Sequence, residues 1–227
     1  MLVTVETNIM LDEQEFNSLF SIQEFDYYAV NREDVTFDYI ENFIQEMKLQ
    51  EEQKQQEMMR LRAIEEEEQR IASVTFNPND LTIPSNLNKD EMYDLLKDTG
   101  LKDVAHTYIE AEQKYGVNSF FLLGLSALES AWGTSSRAVN DNNLTGYNIT
   151  SNSAYYSFSS RSESLLATAK LLSNDYLNKN GRYYNGKTAW DVNKNYCPPT
   201  DDVCKGWADK IVKIAQDVYF DYKSVRK

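Results

Sequence analysis

The chain has 227 residues, of which 41% are hydrophobic and 12% aromatic, enough for one globular domain with an extension. Its formal net charge of −13 is uneven, since residues 1–75 hold 6 Lys and Arg against 18 Asp and Glu, whereas residues 76–227 hold 17 against 18. So acidic a chain argues against a nucleic-acid partner, whose phosphates require clustered cations, and no run of 18 apolar residues exists to span a membrane.

The first 75 residues are predicted to form an acidic arm. Short apolar and acidic groups alternate over residues 1–36, which favours short strands or extended segments. Residues 35–72 contain neither Gly nor Pro and are dense in Glu, Gln, Lys and Met, so the sequence predicts one long helix there.

Apolar residues of this helix recur at spacings of three, four and three at Phe37, Ile40, Ile44 and Met47, and the pattern resumes at Met58 and Leu61. Polar Glu51 and Lys54 interrupt this seam. An interrupted seam favours a helix that docks on a partner or associates weakly with a second copy, and a solvated spacer helix is the alternative.

A linker rich in Pro and Asn follows the arm, and a second domain is predicted over residues 76–227. Asn88, followed three residues later by Glu91, predicts a capped helix start. Helices are expected at about 89–97, 102–115, 118–131, 162–178 and 206–222. The composition turns to Asn, Ser, Thr and Tyr over residues 134–160, which predicts a loop or a short hairpin.

A single carboxylate ends the strongly apolar run of residues 120–128. The charge of Glu129 is costly to desolvate, so a folded chain either pairs it or uses it protonated. A carboxyl held neutral by an apolar pocket is what the general acid of a glycosidase requires. The alternative is a buried structural Glu that holds a helix end or a loop.

Four segments carry a resemblance to a known family. They are ALESAWGTS at 127–135, NNLTGYN at 142–148, NYCPP at 195–199 and WADKI at 207–211. In this order they resemble the bacterial endo-beta-N-acetylglucosaminidases of glycoside hydrolase family 73, the autolysin and flagellar-muramidase-like group of the lysozyme-like superfamily. The resemblance covers about residues 76–222. It implies a mainly α, lysozyme-like domain with a small irregular β lobe, preceded here by the acidic helical arm.

The resemblance implies that Glu129 is the catalytic acid. Relatives often carry a second carboxylate in the β lobe, but residues 145–162 contain no Asp or Glu, and Glu163 lies at an expected helix start, where the helix dipole explains an acid. Without a second carboxylate, the substrate's 2-acetamido group would assist; otherwise Glu163 is the missing base. Tyr196 matches a family tyrosine and is the candidate to orient that group, with a core tyrosine as the alternative.

The residues assigned to the glycan groove are Trp132, Asn143, Gly146, Tyr147 and Tyr155. Trp132 shares the helical face of Glu129 if the helix persists, and a core Trp is the alternative. Asn143 offers hydrogen bonds, Gly146 allows close backbone approach, and Tyr147 can stack on a sugar. Asn143 could instead be only a turn former.

The predicted function is a peptidoglycan hydrolase that cleaves the β-1,4 glycan strand at N-acetylglucosamine. The alternatives are a lytic transglycosylase and a non-enzymatic virion or wall-binding protein with the same fold. No cofactor is expected, and no metal, because Cys197, Cys204 and the distant His106 do not supply converging ligands.

A wall hydrolase must act outside the cytoplasm. The first residues lack a basic segment and carry Glu6 and Asp12, unlike a secretory leader. Either a leader has been removed or export takes another route, and the initiating Met1 favours a phage route, with virion association or self-association through residues 1–75. Cys197 and Cys204 either close a small disulfide loop or remain two free thiols.

Overall fold

The computed structural model describes residues 37–147 and 156–226. The extended segments expected within residues 1–36 lie outside the described residues. Contacts between Cα atoms divide the chain into two units, Met1–Glu68 and Gln69–Lys227.

Eight α-helices are described. They are α1 (Phe37–Ser73), α2 (Lys89–Leu96), α3 (Ala105–Tyr115), α4 (Ser119–Ser130), α5 (Ser136–Asn140), α6 (Arg161–Leu171), α7 (Ala189–Tyr196) and α8 (Trp207–Val225). Short 3-10 turns at Lys102–Val104 and Asp202–Cys204 precede α3 and α8, and a π-helical turn at Leu172–Tyr176 extends α6. Across both described ranges, no helix is both long and apolar enough to cross a membrane.

The first unit is described through most of α1. The long helix predicted over residues 35–72 is confirmed at Phe37–Ser73. Along it, several large apolar side chains are exposed, namely Leu49, Met58, Met59, Leu61 and Ile64. Association through this helix, and a domain boundary at residue 75, stay predictions.

The core of the second unit is built around α4, which is buried along most of its length. Asn118 starts this helix, because its side-chain oxygen accepts hydrogen bonds from the backbone N–H groups of Phe120 and Phe121. The helix α8 packs along α4, and Gly124 makes this possible: a Cβ there would lie 2.6 Å from the backbone oxygen of Ile211. The absence of a side chain at Gly124 therefore allows α4 and α8 to lie in close contact.

A buried carboxylate joins the end of α1 to α2 and α8. Glu91 is only 4% exposed; it accepts two hydrogen bonds from Arg70, at 2.7 and 3.0 Å, and one each from the Tyr222 hydroxyl at 2.7 Å and the Asn88 N–H at 2.9 Å. Burial opposes ionisation, but these donors outweigh it, so the pKa of Glu91 lies below its ordinary value. The last turn of α1 is thus part of the second unit's fold.

The predicted helices of the second unit are confirmed to within a few residues, and so is the capping box at Asn88 and Glu91. Two helices were not predicted, α5 and α7. The helix α7 begins with a second capping box, in which Thr188 and Asp191 satisfy each other's backbone N–H groups. The Thr-x-x-Asp spacing in the sequence is itself typical of a helix start.

The region where a β lobe was expected contains no strand among its described residues. Within 134–147 and 156–160 the backbone forms α5 and irregular loop. The mainly α, lysozyme-like fold is confirmed, while the described part of the lobe is loop rather than hairpin.

Replacing Arg70 tests the Glu91 network. We expect Arg70→Met to lower the free energy of unfolding by about 1.5–3 kcal/mol, because a buried carboxylate loses its charged donor. Urea denaturation of the full chain at neutral pH measures this. The matched control is Arg60→Met, whose exposed guanidinium lies 3.7 Å from Glu57 on the surface of α1 and should contribute little. Equal losses for both variants would contradict a special role for Arg70.

Candidate active site

The end of α4 sets the position of Glu129. The helix stops at Ser130, and both Ala131 and Trp132 adopt left-handed backbone conformations, with φ of 50° and 55°. The Trp132 N–H then donates back to the Ala127 oxygen at 2.9 Å. The helix therefore does not persist to Trp132, which does not share the helical face of Glu129. A binding role for Trp132 stays a prediction.

The Glu129 carboxyl is half-buried and accepts a hydrogen bond from an indole. The Nε1–H of Trp207, the first residue of α8, donates to Glu129 Oε1 at 2.7 Å. Burial raises the pKa of Glu129, and the hydrogen bond from Trp207 and the charge of Arg137 offset this only in part. The net result is a pKa above the ordinary value of 4.5, which favours a protonated carboxyl.

Tyr196 fixes Trp207 and also reaches the loop that follows α5. Its ring stacks on Trp207, with centroids 5.1 Å apart and planes at 26°. Its hydroxyl donates to the backbone oxygen of Thr145 at 2.9 Å. Burial, with the negative charge of Glu129 as the next contribution, raises the pKa of Tyr196 above its usual range, so the phenol stays neutral.

The loop at residues 142–147 brings Gly146 against the acid. Gly146 has φ of +67°, and a Cβ there would lie 2.9 Å from Glu129 Oε2. Asn143 shapes this loop: its side-chain oxygen accepts from the N–H of Thr145 and Tyr147, and its amide donates to the backbone oxygens of Tyr147 and Tyr156. The Asn143 side chain is buried and engaged with its own loop.

Tyr147 belongs to an aromatic cluster beside Gly146. Its ring lies 5.7 Å from that of Tyr156 and 5.6 Å from that of Phe158. Tyr156 is exposed and Phe158 is buried, so one side of the cluster faces solvent. Tyr155 lies outside the described residues.

The candidate second carboxylates are engaged elsewhere. Glu163 Oε2 accepts from the N–H and the hydroxyl of Ser159, at 2.8 and 2.6 Å, and these bonds lower the pKa of Glu163. The carboxyl lies in the first turn of α6, whose N-cap is Ser160, as expected from the sequence. Asp141 accepts from the Ser157 hydroxyl at 3.1 Å.

A disulfide joins Cys197 and Cys204, whose Cα atoms lie 5.3 Å apart. It closes the loop between α7 and α8, and the two ends of this loop carry Tyr196 and Trp207.

Two contributors to the site were not identified from sequence. The WADKI segment contains Trp207 but indicates no contact with Glu129, and the Thr145 backbone oxygen carries no sequence signal at all. A Trp directly after Gly206, at a helix start, could have been recognised as a side chain fixed near a helix N-terminus.

The described fold and site define a class of protein. The domain is mainly α with a lysozyme-like fold, and a half-buried carboxyl of raised pKa at the end of its central helix is what the general acid of a glycoside hydrolase requires. The sequence model of the glucosaminidase family, described as mannosyl-glycoprotein endo-beta-N-acetylglucosaminidase, matches residues 105–220, just over half of the chain. The chain belongs to this family, and the resemblance recognised from the sequence is confirmed.

Similar proteins extend the comparison. A Streptococcus pneumoniae protein provisionally named endo-beta-N-acetylglucosaminidase is 30% identical over 147 residues in each of two strains, TIGR4 and R6, covering 61% of this chain. This chain spans about one fifth of the length of those relatives, 21% and 20%.

Among solved structures, S. aureus autolysin E matches with a TM-score of 0.53 and 24% identity, covering 67% of this chain and 77% of that chain. A catalytic mutant of autolysin E in complex with the disaccharide NAG-NAM matches with a TM-score of 0.53 and 22% identity over the same shares. These structures establish the fold. The matched proteins come from bacteria, and association with a phage particle stays a prediction.

The raised pKa of Glu129 predicts a pH-dependent change in stability. Protonated Glu129 favours folding fully below about pH 4.5, and this stability is lost as the pH rises through the raised pKa. Gln cannot ionise, so Glu129→Gln should raise the melting temperature relative to the native chain at about pH 8, with a smaller difference at about pH 4. Thermal unfolding followed by circular dichroism measures both.

The control for this measurement has the opposite sign. Glu163 has a lowered pKa, so its carboxylate favours folding above its ordinary pKa and this stability is lost in acid. Glu163→Gln should therefore lower the melting temperature at about pH 8 and change it less in acid. A Glu129→Gln effect that does not depend on pH would contradict the burial argument.

Replacing Trp207 tests the hydrogen bond to the acid. We expect Trp207→Phe to raise the pKa of Glu129 further, to move the basic limb of the kcat/KM profile to higher pH and to lower the plateau rate about tenfold. The control is Trp190→Phe, because Trp190 Nε1 donates to Asp209 Oδ1 at 2.8 Å on an exposed surface. A profile unchanged in the Trp207 variant, or changed equally in both, would contradict this role.

Proposed function

We propose that this chain is an endo-beta-N-acetylglucosaminidase that cleaves the glycan strands of bacterial peptidoglycan, with Glu129 as its proton donor. The observation that carries the proposal is the half-buried Glu129 carboxyl, hydrogen-bonded to Trp207 and raised in pKa, within the segment matched by the family. The substrate class is supported by autolysin E, whose catalytic mutant is described with NAG-NAM, a disaccharide of the wall glycan.

The two oxygens of Glu129 have different surroundings. Oε1 accepts the Trp207 hydrogen bond, so the carboxyl proton is favoured on Oε2. Oε2 is also the atom that a side chain at position 146 would crowd. Gly146 therefore leaves space at the oxygen that donates, and the glycosidic oxygen would take the proton there as its bond to the anomeric carbon breaks.

Trp207 is proposed to stabilise Glu129 after its proton has been transferred. The carboxylate left on Glu129 is stabilised by the indole N–H, which is already in place before the reaction. Since this donor is neutral, it strengthens the acid without forcing its ionisation in advance.

The group proposed to act together with Glu129 is the 2-acetamido group of the substrate. Residues 145–162 contain no Asp or Glu, and Glu163 and Asp141 are held by serines. We therefore propose that the acetamido oxygen attacks the anomeric carbon as the leaving oxygen takes the proton of Glu129. Water then opens the cyclic intermediate, with the Glu129 carboxylate as base.

Tyr196 is proposed to orient the acetamido group. Its proton is committed to the Thr145 oxygen, so its phenol oxygen can only accept a further hydrogen bond. An acetamido N–H is a suitable donor. Loss of the phenol would free both the substituent and the loop that carries Gly146.

The remaining groove residues divide by what they contact. Tyr147, with exposed Tyr156 beside it, is proposed to stack on a sugar face. Asn143 is proposed to act on substrate through the loop that it holds. Trp132 and Tyr155 remain candidates for sugar contacts on the strength of the sequence.

A wall substrate places the action of the chain outside the cytoplasm. The finer proposal, that residues 1–75 bind a virion or a second copy of the chain, rests on their acidity and on the exposed apolar residues of α1. The family membership supports the first statement and does not bear on the second.

Product analysis tests the function. Muropeptides released by the full chain should end in reducing N-acetylglucosamine, which borohydride reduction followed by mass spectrometry identifies. Glu129→Gln should release almost none while keeping its circular dichroism spectrum, because Gln cannot donate the proton. An anhydromuramic end would mean a lytic transglycosylase, and no cleavage by the native chain would mean a non-enzymatic protein.

The anomeric configuration of the first product tests the second group. Acetamido assistance gives retention, whereas water activated by a distant carboxylate gives inversion. Proton NMR of a soluble glycan fragment should show retention, with Tyr196→Phe strongly impaired and Glu163→Gln nearly normal. An inverted product, or a Glu163→Gln variant as inactive as Glu129→Gln, would make Glu163 the missing base.

A further inference from the structure

The disulfide lies between the two aromatic residues that hold the acid. Cys197 directly follows Tyr196 at the end of α7, and Cys204 precedes Trp207 by three residues at the start of α8. The loop that the disulfide closes is thus the covalent connection between the residue that reaches Thr145 and the residue that donates to Glu129.

The loop is compact within this closure. The Asp201 N–H donates to the Pro198 oxygen and the Cys204 N–H donates to the Asp201 oxygen, both at 3.0 Å. Cys204 is buried, and Cys197 packs against the core while remaining partly exposed. Cys197 is therefore the more exposed of the two cysteines.

Hydrogen bonds of two side chains, Asn193 and Trp190, join α7 to α8 without a covalent bond. The Asn193 amide donates to the Cys197 oxygen, and its side-chain oxygen accepts from the Ala208 N–H at 3.4 Å, near the upper limit for a hydrogen bond. Without the disulfide, this long bond, the exposed hydrogen bond from Trp190 Nε1 in α7 to Asp209 Oδ1 in α8 at 2.8 Å, and the stack of Tyr196 on Trp207 would join the two helices.

We propose that the Cys197–Cys204 disulfide is a positioning element for catalysis, which keeps Tyr196 stacked on Trp207 and Trp207 hydrogen-bonded to Glu129. The proposal rests on the proposed function. Reduction by dithiothreitol breaks the sulfur–sulfur bond, adds two electrons and two protons to give two Cys thiols, and converts the dithiol to its cyclic disulfide. The junction then loosens, and the chain is fully active only in an oxidising compartment.

Two properties separate positioning from stabilisation alone. A disulfide that only stabilises the fold lowers the melting temperature when reduced and leaves the turnover of the folded fraction unchanged. If the disulfide positions Trp207, its reduction also weakens the hydrogen bond from the indole to Glu129. The pKa of Glu129 then rises further, and the basic limb of the pH profile moves to higher pH.

The test compares the oxidised full chain with the same chain in dithiothreitol, below the melting temperature of both. Turnover of a soluble glycan and carbon-13 NMR titration of the Glu129 carboxyl are the readouts. We expect reduction to lower kcat about tenfold or more, to raise the pKa of Glu129, and to be reversed by oxidised glutathione. The variant Cys197→Ala/Cys204→Val should match the reduced chain and should not respond to dithiothreitol.

The outcomes are distinct. If a chain shown to carry two free thiols keeps both its kcat and its Glu129 titration, the proposal is overturned. It is equally overturned if the reduced chain and the double variant both lose their circular dichroism spectrum, because the disulfide then only stabilises the fold. If the oxidised chain cleaves no glycan, the proposed function fails, while the Glu129 titration in the two redox states still decides the role of the disulfide.

Discussion

The desolvation of one carboxyl group is the constraint on which this structure depends. Glu129 ends an apolar helix, where its charge is removed from water and its pKa rises. The hydrogen bond that meets it comes from a neutral indole, at 2.7 Å. A neutral donor stabilises the ion less than a Lys or Arg contact would, so the group can hold a proton at rest and still release it.

The fold contains a second buried glutamate that shows the contrast. Glu91 contacts the same long helix, α8, through Tyr222 near its other end, but it also receives the guanidinium of Arg70, and its pKa is lowered. The ionised form of Glu91 is therefore favoured and serves the fold, whereas burial favours the protonated form of Glu129. The close contact of α4 and α8 at Gly124 holds the latter arrangement in place.

Local patterns in the sequence predicted most of the helices and the central acid. The Asn88 capping box, the helix-forming composition of α1 and the apolar run before Glu129 all act within a few residues, so they can be recognised without the fold. The hydrogen-bond partners of Glu129 and Tyr196 could not be predicted in this way. Trp207 is 78 residues away, and the Thr145 oxygen belongs to the backbone, which any residue supplies. The condition for Trp132 to share the helical face of Glu129 is not met, because a left-handed turn ends α4 at Ser130.

The sequence distance between Glu129 and Trp207 has a consequence for biosynthesis. The acid emerges from the ribosome long before the helix that carries its donor, and Tyr196 also follows late in the chain. A nascent chain therefore contains Glu129 without a formed site until residues 207–225 have been made and have docked on α4. The order of synthesis would therefore delay the formation of the proposed active site.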